Sequence, residues 1–82
     1  MPIEELREKI DRIDERILGL LEERVDIVKK IGAVKRKKGL PIDDIDRERE
    51  VVGRLTGRTK LNKHFVRRIY ENVIEYCKEN ER

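Results

Sequence analysis

Residues 5–38, ELREKIDRIDERILGLLEERVDIVKKIGAVKRKK, decide the fold. Leu6, Ile10, Ile13, Ile17, Leu20, Arg24, Ile27, Ile31 and Val34 follow one another at alternating steps of four and three. That spacing lays one stripe along a helix, the a/d pattern of helices that pack lengthwise on other helices. Every position in the stripe is aliphatic except Arg24. A guanidinium in an apolar seam is costly unless an anion meets it. The anion is either a carboxylate across a helix interface or a ligand.

Working outward, Gly39 is a good residue to end this helix and Pro41 forbids its continuation. A helix of that length spans about 50 Å, whereas a compact globule of this size has a radius of gyration of about 12 Å. Its own chain cannot wrap such a helix, so a second chain is expected along the seam. Leu40 to Asp43 form a turn, and Asp43 or Asp44 caps a second helix over roughly 45–56. Residues 56–60 read as a loop. Asn62 is the expected N-cap of a third helix to about Asn80, with Phe65, Val66, Ile69, Val73 and Tyr76 or Cys77 on its inner face. No strand-like alternation or repeat interrupts this order. The expected fold is all-α, one domain over 1–82, with helices in the order long, short, medium.

Composition supports an assembly of helices. Charged residues make up 48% of the 82-residue chain and hydrophobic ones 37%, with no Trp and one Phe, so a lone chain has little to bury. Twenty-one basic residues nearly balance 18 acidic ones, for a net charge of +3. That balance suits ion-paired helix surfaces better than a dedicated polyanion binder. One Cys and one His leave no disulfide framework and no Cys- or His-based metal site. No apolar run reaches membrane-spanning length and no leader is evident, so a soluble cytoplasmic protein is expected.

Several charges stand out by position. Arg24 and Lys35 are three helical turns apart on one face, about 16 Å between Cα atoms, with Val28 and Ile31 between them. Two long cations with an apolar middle suit a compact anion. Arg7 lies about 25 Å from Arg24 along the same helix and can join that pair only from a second, antiparallel copy. Arg47 sits in the first turn of the second helix beside Asp44 and Glu48, against the helix dipole. Cys77 and Glu81 share a face near the C-terminus. Taken singly, Arg7 and Arg47 read as solvated charges, Cys77 as a packing residue and Glu81 as a frayed terminal acid. Lys35 to Lys38 likewise read as a basic last turn.

Taken together, these residues resemble the all-helical (AroQ-type) chorismate mutases. The likeness runs from Leu6-Arg7-Glu8-Lys9-Ile10 and Asp14-Glu15 through Leu20-Leu21-Glu22-Glu23-Arg24, Gly32 and Lys35. It continues through Pro41-Ile42 to Asp44-Ile45-Asp46-Arg47-Glu48-Arg49-Glu50, and is weaker after residue 56. The resemblance implies an intertwined homodimer with two equivalent sites. It also implies an isomerase that carries out the Claisen rearrangement of chorismate to prephenate, without cofactor or metal. By position, Arg24 and Arg7 of the partner subunit would hold the substrate carboxylates. Arg47 would line the pocket, while Asp44 and Glu48 would address the ring hydroxyl. Lys35 and Glu81 would flank the ether oxygen, and Cys77 stands where some relatives have Ser. Glu81 departs from the Gln common in bacterial relatives, and a glutamate donates a hydrogen bond only when protonated.

Three other functions fit the same pattern, one of them a regulatory dimer without activity. An isochorismate-pyruvate lyase of the same fold would eliminate pyruvate instead of transferring it. A non-catalytic helical dimerisation or nucleic-acid-binding module would use Lys35 to Lys38, but the charge balance and the scarcity of aromatic residues weigh against it. Neither nucleic acid nor membrane is an expected partner.

Overall fold

The computed structural model describes residues 2–82, and every element in it is helical. Helix α1 is Ile3–Lys38, α2 is Ile45–Thr56 and α3 is Lys63–Glu81. α1 begins directly after Pro2, with Glu4 and Glu5 in its first turn, where acids favour the helix dipole. It ends in a Schellman motif. Gly39 adopts a left-handed φ of 67°, its N–H donates to Arg36 O, and Leu40 N–H donates to Lys35 O at 2.9 Å. α2 is capped by Asp44, whose Oδ1 accepts from Arg47 N–H at 3.0 Å. The Asn62 side chain caps α3 by accepting from Phe65 N–H at 3.1 Å. Thr56, where the expected second helix and the loop meet, is the last residue of α2. It is buried, and its hydroxyl donates to Val52 O at 2.9 Å.

α3 packs against both other helices, and α1 and α2 do not pack on each other. The buried apolar residues are Val51 of α2 with Val66, Ile74 and Cys77 of α3. This corrects the expected inner face of α3. Val66 and Cys77 are buried, Val73 is half-buried, and Ile74 joins them; Phe65, Ile69 and Tyr76 are exposed. The exposed three lie about 60–100° round the helix from Val66. α3 thus has two adjacent apolar faces, and its own chain covers one.

The same shortage of cover shows on α1. Its stripe residues Leu6, Ile10, Ile13, Ile17, Leu20, Ile27, Ile31 and Val34 are between 41% and 62% exposed. The accessible surface is 7016 Å², against about 5,200 Å² for a compact monomer of this mass. The radius of gyration is 16.0 Å and the long axis 56 Å, set by α1.

Candidate active site

The three helices and the α1–α2 turn line an open cavity of about 330 Å³ near the C-terminal end of α1. α1 contributes Arg24, Val28, Ile31 and Lys35, one face at helical spacing. The turn and α2 add Ile42, Asp44, Arg47, Glu48 and Val51, and α3 adds Ile74, Cys77, Lys78 and Glu81. The structure therefore brings together Arg24, Lys35, Asp44, Arg47, Glu48, Cys77 and Glu81. Arg7 is elsewhere, well exposed near the other end of α1, where it pairs with Glu4 at 3.7 Å.

The polar groups differ in how they are held. Lys35 Nζ is 2.9 Å from Glu81 Oε1 and donates to Ile42 O at 2.9 Å, so one ammonium joins α1, the turn and α3. Two of its three N–H groups are thereby engaged. Glu81 is only 7% exposed, which corrects the reading of a frayed terminal acid. Two features of α1 seat it. Arg36 Nη1 donates to Glu81 O at 2.8 Å, satisfying an end carbonyl of α3. Gly32 is buried, and a Cβ there would collide with that same carbonyl oxygen and come within 3.0 Å of Glu81 Cγ. Glycine at this position lets the end of α3 lie on α1. Lys35 and Arg36, half of the basic run at residues 35–38, are thus committed to contacts with α3.

Arg24 is half-buried, and none of the ion pairs or hydrogen bonds among the described residues involves it. Among the described residues the seam arginine has no anion. Arg47 lines the cavity but pairs outward with Glu50 at 2.9 Å, and Asp44 is occupied as the α2 cap. The Cys77 thiol is buried and free. Glu48 Oε1 lies 3.5 Å from Lys78 Nζ, while Glu48 Oε2 is buried with no hydrogen-bond partner.

Lys78 is the charged wall residue that sequence reasoning missed. It follows Ile74 by four and precedes Glu81 by three, a spacing that places it on the inner face of α3. Burial lowers the pKa of its ammonium, but Glu48, Asp43 and Glu75 together outweigh this and hold it above the ordinary lysine value. With Lys78 counted, four cations face three carboxylates around an apolar floor. The wall of one chain therefore carries one net positive charge, which suits an anion.

A profile of the chorismate mutase type II family matches residues 6–82. This chain belongs to that family. It is similar to a chorismate mutase of Methanocaldococcus jannaschii, 34% identical over 77 residues that cover 90% of this chain and 78% of that protein. It is also similar to a bifunctional chorismate mutase/prephenate dehydratase of Escherichia coli K12, 39% identical over 77 residues. The match covers 90% of this chain and 20% of that protein, so the chain spans about a fifth of the bifunctional relatives. Among solved structures, a chorismate mutase (form II) from Thermus thermophilus superposes with a TM-score of 0.93. Identity there is 31%, over 96% of this chain and 92% of that one. The all-helical architecture read from the heptad pattern is that of the family.

Proposed function

We propose that this chain is a chorismate mutase, an isomerase converting chorismate to prephenate on the route to phenylalanine and tyrosine. The observation that carries the proposal is the convergence of Arg24, Lys35, Arg47 and Glu48 on one cavity with an apolar floor. Chorismate presents two carboxylates, a ring hydroxyl and an enolpyruvyl ether. The rearrangement breaks the ether C–O bond as a C–C bond forms, and no proton, hydride or group leaves the molecule. Such a step calls for neither a nucleophile nor a cofactor. Its barrier falls when the flexible substrate is held in its reactive chair-like shape and when charge growing on the ether oxygen is met by a fixed donor.

Arg24 is the first candidate for a substrate carboxylate, because it is half-buried with no anion of its own and a guanidinium binds carboxylates in a bidentate fork. Lys35 is the candidate donor to the ether oxygen, its third N–H being uncommitted. Glu81 aims Lys35 when ionised and offers a second donor when protonated. Asp44 and Glu48 accept from the ring hydroxyl, Arg47 turns inward from Glu50 to line the pocket, and Cys77 packs behind it.

A second copy completes the site in this reading. The exposed stripe on α1 and the exposed face of α3 are what an intertwined dimer would cover. Antiparallel pairing of the α1 helices would bring in Arg7 of the partner subunit as the second carboxylate clamp. Among the described residues no helix is long and apolar enough to cross a membrane, and we place the protein in the cytoplasm.

The test is incubation with chorismate, following substrate absorbance and identifying the product, with sedimentation to give the oligomeric state. Prephenate from a dimer is expected. Intact chorismate, or preferential conversion of isochorismate to salicylate, overturns the reading.

A further inference from the structure

Lys78 has surroundings that a lysine near a helix end does not need. Its side chain is only 16% exposed, although lysine heads ordinarily reach for water. Three carboxylates from three places surround its ammonium: Glu48 of α2 at 3.5 Å, Asp43 of the α1–α2 turn at 3.6 Å, and Glu75 one turn back on α3 at 3.9 Å. Asp43 also has Arg82 at 3.6 Å, so the turn keeps a second tie to α3 without Lys78. Glu48 has no other cation among the ion pairs of the described residues. Its Oε2 is buried without a partner, so its carboxylate has an acceptor to spare for a hydroxyl.

Charge makes the same point. Without Lys78 the cavity wall from one chain holds as many carboxylates as cations, and Glu48 would stand unneutralised beside an incoming dianion. Like charges at such range in a partly dry pocket repel strongly.

We propose, resting on the chorismate reading, that Lys78 is a positioning residue of the site: it holds and neutralises the Glu48 carboxylate so that the cavity accepts a doubly charged substrate with a hydroxyl on Glu48. It acts through Glu48 and is not assigned a contact with the substrate. An interaction of this kind is made with substrate and transition state alike, so its loss raises KM and leaves kcat nearly unchanged.

The experiment is a double-mutant cycle on the full chain, with helix content and melting checked for each variant. Lys78→Met is expected to raise KM for chorismate about tenfold, and Lys78→Arg to stay within about threefold of wild type. In the Glu48→Gln background, which removes the charge to be neutralised, Lys78→Met changes KM by less than about twofold. Asp43→Asn, which loosens the turn but spares Glu48, also stays within about twofold. An unchanged KM in Lys78→Met, or the same rise with and without Glu48, overturns the proposal. Wild type in the same assay separates the two readings, since absent turnover overturns the chorismate reading alone. Crystal structures of wild type and Lys78→Met then decide the clamp, which falls if the Glu48 carboxylate keeps its place without the ammonium.

Discussion

The two halves of α1 carry one apolar pattern and meet opposite surroundings. From Ile3 to Leu18 every residue is exposed, including Leu6, Ile10, Ile13 and Ile17 of the stripe. From Leu21 to Lys35 the helix has a covered side, where Leu21, Arg24, Val25, Val28 and Lys35 are half-buried and Gly32 is buried. The difference is one of reach. α3 has 19 residues and extends about 28 Å, roughly half the length of α1. Hydrophobic periodicity states that a face is to be covered, and chain length decides how much of it the same chain can cover. Chemistry gathers at the covered half, and the bare half is where we place the second copy.

Breaking the covered half has the largest expected effect. Arg24→Ala is expected to lower kcat/KM by about 10²–10³, the usual cost of removing a preorganised charged donor. Melting should hold steady or improve, since a half-buried cation without an intrachain partner is lost. Full activity in this variant would remove Arg24 from the site. The bare half is probed by Arg7→Ala, expected to fall comparably in kcat/KM although Arg7 lies outside the cavity of its own chain. Mixing the two inactive variants under exchange conditions then sharpens the comparison. Half the dimers are mixed and each mixed dimer holds one intact site, so about a quarter of wild-type activity returns. No recovery from stable mixed dimers would show that Arg7 does not serve across the interface.

Two glycines on α1 extend the comparison to packing. Gly32→Ala sets a methyl against the Glu81 carbonyl and should destabilise by about 1–3 kcal/mol, with activity lost as the end of α3 lifts. Gly19 has nothing within 4 Å of the position of a Cβ, so Gly19→Ala should stabilise by about 0.5–1 kcal/mol through helix propensity. Thermal or denaturant melts read both. A destabilising Gly19→Ala would mean that another chain lies closer to α1 there than the open space in this one suggests.

How far the sequence could be read follows from the same reasoning. Helix order, the Asn62 cap, a cap at Asp43 or Asp44 and the glycine stop were legible because they rest on local rules. The shared face of Arg24 and Lys35 was legible because helical spacing is fixed. Ile74 and Lys78 were not, since α3 touches α1 on one side and α2 on the other and periodicity along one helix does not say which side wins. Arg36 looked like one more member of the basic last turn; only the path of α3 singles it out. The ion pair between Lys35 and Glu81 was equally hidden, because the penultimate residue is held by a notch and a guanidinium 45 or more positions earlier in the chain.

That ion pair sets the smallest effect and the finest test. An ionised Glu81 is an acceptor only, so beside the ether oxygen it can do no more than hold Lys35 in place. Protonated, it becomes a donor and adds to the stabilisation of developing charge. Glu81→Gln keeps the shape, removes the charge that aims Lys35 and supplies a permanent donor, and should change kcat/KM only a few-fold, on the order of one neutral hydrogen bond. A loss well beyond that in the Gln variant would leave Glu81 no donor role and confine it to aiming Lys35. In that case Arg36→Ala, which frees the Glu81 carbonyl, should lower kcat as well.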